Sequence, residues 1–456
     1  MAEPGTRRAL GAALLASSLL PLNSTMIAVA LPDIAREFSR APGTVAQAVV
    51  ASYLVAALVL QSPGGKLGDR LGHWRILAIG QVLTVIGALI GVLADGLGML
   101  AVARVLMAAG GAAIVPATVA LLRIELPPQR RGRAFGLFGA VMSLAAGVGP
   151  LVGGELVRVL GWTSIFAVNL PVIGLSALLA GGNRRPAKSQ NRSCFDLVGA
   201  VLLTTTLSAL VMGLEVDGVI ASVLLGACAC LLALFVWWER RAEDPVVAFT
   251  LFRSLPFTAG SLLVALQNLV VYTLLFELPQ VLNALLAVGA ATVGRLLVAM
   301  TAATILASVA AGRLTDRIGP RPVAVAGVVA CLVAVGLLAA NDLSSLRPLV
   351  LPLALVGLGL GLATPAAQSA SLASIPRERS GAAAGIGSTM RYLGGIVGVA
   401  LLGRLVDPAG NRPAVLGEHR TVLAVFAAAL VAGLACAMAL PGRSLDSSRA
   451  PLSGGS

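Results

Sequence analysis

Gly65-Lys66-Leu67-Gly68-Asp69-Arg70-Leu71-Gly72 is the stretch on which the reading turns. It returns 247 positions later as Gly312-Arg313-Leu314-Thr315-Asp316-Arg317-Ile318-Gly319. A second pair keeps nearly the same separation: Pro127-Pro128-Gln129-Arg130-Arg131-Gly132 is echoed 249 positions on by Pro376-Arg377-Glu378-Arg379-Ser380-Gly381. Gly147-Val148-Gly149-Pro150-Leu151-Val152-Gly153-Gly154 follows the first of these, and Gly394-Gly395-Ile396-Val397-Gly398 follows the second. Independent pairs at one offset imply two homologous halves, 1–182 and 250–441, with 183–249 inserted between them and a tail at 442–456.

The residues around these stretches decide the solvent. Of 456 residues, 57% are hydrophobic and only 12% charged, with a mean hydropathy of +0.93. Soluble domains carry about 25% charged residues, so this is a membrane protein. A spanning helix needs about 20 mostly apolar residues. The first six candidates are Ala9–Ala30, Val45–Gln61, Ile76–Leu97, Leu100–Leu122, Ala134–Leu156 and Trp162–Ala180. Leu197–Met212 and Val219–Trp238 form the insertion. Phe257–Leu278, Ala290–Ala310, Val323–Ala340, Leu349–Ala367, Ala382–Leu405 and Val422–Leu440 complete fourteen. The expected fold is therefore all-α: two six-helix bundles around a central cavity, with the two inserted helices peripheral.

The net charge of +13 comes from clusters scattered between apolar runs, not from a basic stripe, which argues against a nucleic-acid partner. Placing the N-terminus inside puts 23 Lys and Arg residues in cytoplasmic loops and 7 outside. Both termini are then cytoplasmic, in a multi-pass protein of the plasma (inner) membrane. The apolar run behind Arg7 and Arg8 reaches Ala30, longer than a secretory signal's core, and reads as an uncleaved span. Cys194, Cys228, Cys230, Cys331 and Cys436 lack disulfide or metal spacing. Gly64-Gly65-Lys66-Leu67 lacks the rest of a phosphate-binding loop. His73 and His419 both read as loop residues. No cofactor, no metal site and no enzymatic activity is expected.

The repeated octapeptide reads as a short cytoplasmic loop. Its glycines allow a tight turn and close helix approach. Its Asp can face helix N-termini and neighbouring Arg groups, a charge latch able to close and open. Gly65, Asp69, Arg70, Gly72, Asp316 and Arg317 are the gating candidates on this argument. This stretch resembles the signature loop of the major facilitator superfamily, and the chain as a whole resembles its fourteen-helix drug–proton antiporters. Leu22-Asn23-Ser24-Thr25-Met26-Ile27-Ala28-Val29-Ala30-Leu31-Pro32 is similar to that family's first-helix motif. Gly147 to Gly154, with Gly149 and Pro150, resembles the fifth-helix motif associated with exporters. Trp162-x-x-Ile165-Phe166-x-x-Asn169-x-Pro171 and Arg391-x-Leu393-Gly394-Gly395-x-x-Gly398 are further family-like stretches. The departures are Asn23 where the family usually has Asp, Met107-Ala108 after Arg104 in place of Gln-Gly, and His73-Trp74 where two basic residues are common.

Polar and charged groups inside spans are costly and mark function. Arg104 and Arg391, with Asn23, Asn268 and Glu277, are the candidates for a substrate or proton pathway. Gln267 and Asn169 could hydrogen-bond a substrate or join helices, and Tyr272 and Phe276 line the cavity or pack between helices. Arg295 is close enough to a span end to snorkel. Asp95 sits between loop glycines, and Glu155 has Arg158 three residues on as a partner. Glu277 falls roughly 30 Å from Phe257, near the outer mouth, as either a proton carrier or a solvated helix-end acid. Elimination favours Glu277 as carrier, with Asp33 and Asp95 as alternatives: Asn23 does not titrate and both arginines stay protonated. The resemblance implies a monomeric secondary transporter that exports small, largely apolar, drug-like compounds across the bilayer, with the proton as coupling ion. The rival readings are a major facilitator importer or facilitator of a metabolite, or a lipid translocator, without proton antiport.

Overall fold

The computed structural model describes residues 4–40, 44–45, 47–180, 196–216, 218–288, 290–405 and 412–442. Arg184, Arg185, Lys188, Arg192 and Cys194 of the central loop, and Arg443 and Arg449 of the tail, lie outside the described residues. Among the described residues the regular elements are all helical. The first half comprises α1 (Pro4–Glu37), α2 (Ser52–Leu71), α3 (His73–Val92), α4 (Leu97–Glu125), α5 (Pro128–Leu160) and α6 (Asn169–Ala180). The insertion supplies α7 (Leu197–Glu215) and α8 (Gly218–Glu239). The second half supplies α9 (Leu255–Leu286), α10 (Ala290–Ile318), α11 (Pro320–Ala339), α12 (Val350–Ala373), α13 (Ser380–Leu405) and α14 (Arg412–Met438).

Thirteen described helices are long and apolar enough to cross a membrane. The remaining predicted span is a shorter apolar stretch, Ser164–Ala180, in which the one-turn helix Ser164–Ala167 precedes α6. Val168 separates its two helical pieces. A π-helical turn, Gln47–Ala51, leads into α2.

Several helices run beyond their apolar cores, and this corrects the expected loops. Gly65 to Leu71 are helical, forming the last two turns of α2, and the connection to α3 is Gly72 alone. The second copy behaves alike: α10 runs through Ile318, and Gly319 alone precedes α11. Gly72 and Gly319 adopt φ of 95° and 89°, backbone that L side chains rarely reach. His73 opens α3 and is no loop residue. His419 lies inside α14, which starts ten residues before the predicted span. Glu277 lies inside α9, nine residues before its end.

Contacts group Met1–Glu125, Val141–Phe249 and Arg377–Thr389 into one compact unit, and Leu126–Ala140, Thr250–Pro376 and Met390–Ser456 into another. The helices α5 and α13 are thus each divided between the two. Inside the first unit, small residues let backbones approach: a Cβ on Gly64 would strike the Ala112 carbonyl, and one on Gly80 that of Gly110. The second unit repeats this with Gly361 against Thr304 and Gly327 against Gly359. Such close packing is what joins helices in lipid, where apolar burial contributes little. Large apolar side chains point outward instead: Leu178, Val219 and Leu306 are 80%, 80% and 73% exposed.

Candidate functional site

Both signature aspartates cap helices from the other sequence half. In the first unit, Asp69 Oδ1 accepts from the Gly381 N–H at 2.6 Å and Oδ2 from the Ala382 N–H at 2.7 Å, the first turn of α13. In the second, Asp316 Oδ1 accepts from the Gly132 N–H at 2.8 Å and Oδ2 from the Arg133 N–H at 3.1 Å, the fifth and sixth residues of α5 and so one turn inside its N-terminus. The first turn of any helix leaves N–H groups unpaired and carries partial positive charge, so a carboxylate there is doubly favoured. Close approach is possible because the facing residues are glycines. A Cβ on Gly65 would strike the Gly381 carbonyl, and one on Gly312 would strike that of Gly132.

The surroundings of the two caps differ. Beside Asp69, His73 Nε2 lies 3.4 Å from Oδ1, and the buried Arg123 donates through Nη1 to the Ser380 hydroxyl at 2.8 Å. Lys66, on the same turn of α2, pairs with Asp244 in the α8–α9 connection, tying the insertion to the signature stretch. Beside Asp316 the nearest cation is Arg133, at 3.8 Å and largely exposed. Arg70 is half-buried and Arg317 exposed, both in the last turn of their helices where the dipole favours cations.

A buried polar cluster joins α1, α2, α4 and α6. Arg104 is 2% exposed; its Nε donates to the Val49 carbonyl of the π-turn at 2.7 Å, and Nη2 to the Asn23 carbonyl at 3.2 Å. The guanidinium carbon sits 3.9 Å from the centre of the Tyr53 ring, whose hydroxyl donates to the Leu20 carbonyl. Asn23 and Asn169 exchange side-chain hydrogen bonds at 2.7 and 3.1 Å. Carbonyl dipoles and an aromatic face thus stabilise the Arg104 charge, and no carboxylate pairs with it among the described residues. Sequence reasoning missed Tyr53 and the Asn23–Asn169 pairing, since the partners stand 146 positions apart.

The exporter-like glycines pack α5 on α1: a Cβ on Gly149 would run into Thr25, and one on Gly153 into Met26. Pro150 is exposed. Their counterparts on α13 approach α9, Gly394 at the Ala265 carbonyl and Gly398 at Thr273.

In the second unit, Gln267 is fully buried and accepts from the Thr364 hydroxyl at 3.1 Å. Asn268 donates to the Val264 carbonyl of its own helix at 2.8 Å. Arg391 is half-buried and interacts electrostatically with Tyr272; its Nε is buried with no hydrogen-bond partner. Phe276 is 51% exposed and faces away from the helix core. Glu277 is neither solvated nor unpaired: it is fully buried, with Oε1 2.5 Å from Nδ1 of His419, itself 1% exposed. This overturns the reading of Glu277 as a solvated helix-end acid, because α9 continues past Leu278, and of His419 as a loop residue. Glu155 pairs with Arg158 as expected, Asp33 pairs with Arg36, Asp95 is exposed between helices, and Arg295 is exposed near its helix end beside Thr292.

Known proteins share this architecture. The chain is 31% identical over 402 residues to the tetracenomycin C resistance and export protein of Streptomyces glaucescens, covering 85% of this chain and 73% of that one. To the multidrug efflux pump LfrA of Mycolicibacterium smegmatis it is 30% identical over 457 residues, 96% and 89% of the two chains. The solved proton:xylose symporter XylE superposes with a TM-score of 0.67 at 14% identity, over 98% of this chain and all of that one. The Major Facilitator Superfamily profile matches residues 13–275 and 260–454. With thirteen described helices long and apolar enough to cross a membrane and these matches, the chain belongs to the Major Facilitator Superfamily and is a multi-pass membrane transporter.

Proposed function

We propose that this transporter exports small, largely apolar compounds by alternating access, driven by a proton gradient. The reading places it in the plasma (inner) membrane as a monomer, with both termini cytoplasmic. The observation that carries export is the alignment with proteins described as an efflux pump and an export protein over 96% and 85% of the chain. The capping pattern supports alternating access. A carboxylate held mainly by backbone N–H groups, across an approach lined by glycines, can release its helix without breaking a packed core. Each cap then stabilises one state of the cycle, and losing it shifts the balance of states. The occupied buried polar groups support apolar cargo, since Asn23, Asn169 and Arg104 are already engaged by protein partners. The buried Arg104 charge disfavours cationic cargo and favours neutral or anionic compounds.

Whole-cell accumulation tests the direction. Cells expressing the chain are loaded with a neutral lipophilic dye, Nile red, and with ethidium, and compared with cells lacking it. Lower steady-state Nile red with expression is expected, abolished by collapsing the proton gradient. Higher accumulation with expression would establish an importer instead.

A further inference from the structure

The helices α9 and α14 meet at a buried acid–base pair for which the capping device has no use. Glu277 and His419 are 0% and 1% exposed, and their near atoms lie 2.5 Å apart. Their surroundings are apolar: Leu274, Leu278 and Val281 on α9 and Val415 and Val422 on α14 are all buried. The outer atoms, Glu277 Oε2 and His419 Nε2, are buried and have no hydrogen-bond partner among the described residues. As a stabilising device this is poor. Two ionisable groups are stripped of water for one contact, and apolar side chains of similar size serve stability as well or better. Ionisable groups held inside a membrane segment at such a cost mark proton and ion pathways.

The remaining ionisable groups on the packed elements are few. On α9 there is Tyr272; on α13, Arg391, Tyr392 and Arg404; on α14, the exposed Arg412 and Arg420, the half-buried Glu418 and Cys436. On α10 they are the exposed Arg295 and, at its far end, Arg313, Asp316 and Arg317. On α11 they are Arg321 and Cys331, and α12 carries none.

We propose that Glu277 and His419 together form the proton-binding site of this transporter, an assignment that rests on the proton-driven reading above. Sharing one proton, the pair is neutral, whether as carboxylate with imidazolium or as carboxylic acid with imidazole. A second proton taken from water makes carboxylic acid and imidazolium, with net charge +1. Its return to water on the other side restores the neutral pair, and no other bond forms or breaks. Oε2 and Nε2 are the atoms at which it arrives, and groups in such contact titrate as one unit. A lone carboxylate would instead alternate between an anion and a neutral acid. The pair alternates between neutral and cationic, so its protonated form carries the charge that the gradient drives inward.

Infrared difference spectroscopy on the purified full-length protein tests the site without a substrate. The titration runs from about pH 5 to about pH 9, a window that contains the ordinary histidine value. A carboxylic C=O band should titrate in the wild type, vanish in Glu277→Gln and move its midpoint by about one pH unit or more in His419→Gln. A band unchanged in both variants overturns the proposal. If Glu277→Gln does not fold, His419→Gln decides alone, because it leaves the carboxyl in place and must still move the band. In liposomes, Nile red movement under an imposed pH gradient should fall about tenfold or more in Glu277→Gln, while exchange without a gradient persists. Full gradient-driven movement in Glu277→Gln also overturns it. If the band behaves as expected and the wild type moves no dye in either direction, the export reading falls and the proton site stands.

Discussion

The Asp69 and Asp316 caps are the same device built twice, and their differences are informative. Both place a carboxylate from the last turn of one helix on N–H groups near the start of another, Asp69 in the first turn of α13 and Asp316 one turn inside α5, and both rely on a glycine pair for approach. The Asp69 bonds are shorter, 2.6 and 2.7 Å against 2.8 and 3.1 Å. Beside Asp69 stand the buried Arg123–Ser380 contact and, on its turn, the Lys66–Asp244 pair that reaches the inserted helices. Asp316 has Arg133, whose exposure leaves its charge screened by water. The two caps share a mechanism and differ in hydrogen-bond length, so the first cap should dominate the energetics of opening.

Asp69→Asn breaks the comparison most severely. An amide keeps the shape but loses the charge, and a shift of about 1–3 kcal/mol between states is expected. Transport of Nile red in liposomes should drop about tenfold or more while dye binding stays within about twofold; equal losses in both would assign Asp69 to binding instead. Asp316→Asn should cost less, about threefold in the same assay, in keeping with its longer hydrogen bonds. A larger loss than for Asp69→Asn would reverse the ranking. Ser380→Ala removes the buried companion and should slow transport about twofold, approaching additivity with Asp316→Asn but not with Asp69→Asn. Lys66→Ala should have the smallest effect on transport, because its pair joins α2 to the insertion and not to the capped helix. Thermal unfolding in detergent should show the lost pair as a shift confined to the part of the transition that proteolysis assigns to α7 and α8.

Most of the fold was legible because membrane helices must be long and apolar and because the repeat offset survived. The helix ends were not, and the reason is physical. Counting apolar residues stops at Gln61 or Ala310, whereas the backbone continues until a residue such as Gly72 or Gly319 ends it. The same counting stopped short of Glu418-His419-Arg420 and so placed His419 in a loop. A signal was present: Val415, His419, Val422 and Phe426 recur at helical spacing, and all four are buried. The capping role of Asp69 and Asp316 was readable from the motif, since acids suit helix N-termini. Which helix they cap was not, because Gly381 and Gly132 stand 312 and 184 positions from their partners. The Asn23–Asn169 pair was hidden for the same reason, as two ordinary amides in separate spans.

Pulsed electron–electron distance measurement across the first cap tests the central claim most directly. Spin labels replace the exposed Arg75, on α3, and Glu378, just before α13, in a cysteine-free background. The account predicts one dominant distance in the wild type and a second, longer population in Asp69→Asn, with Asp69→Glu lying between them. A distribution identical in the wild type and Asp69→Asn would show that Asp69 does not hold α13, and the capping account of gating would be contradicted.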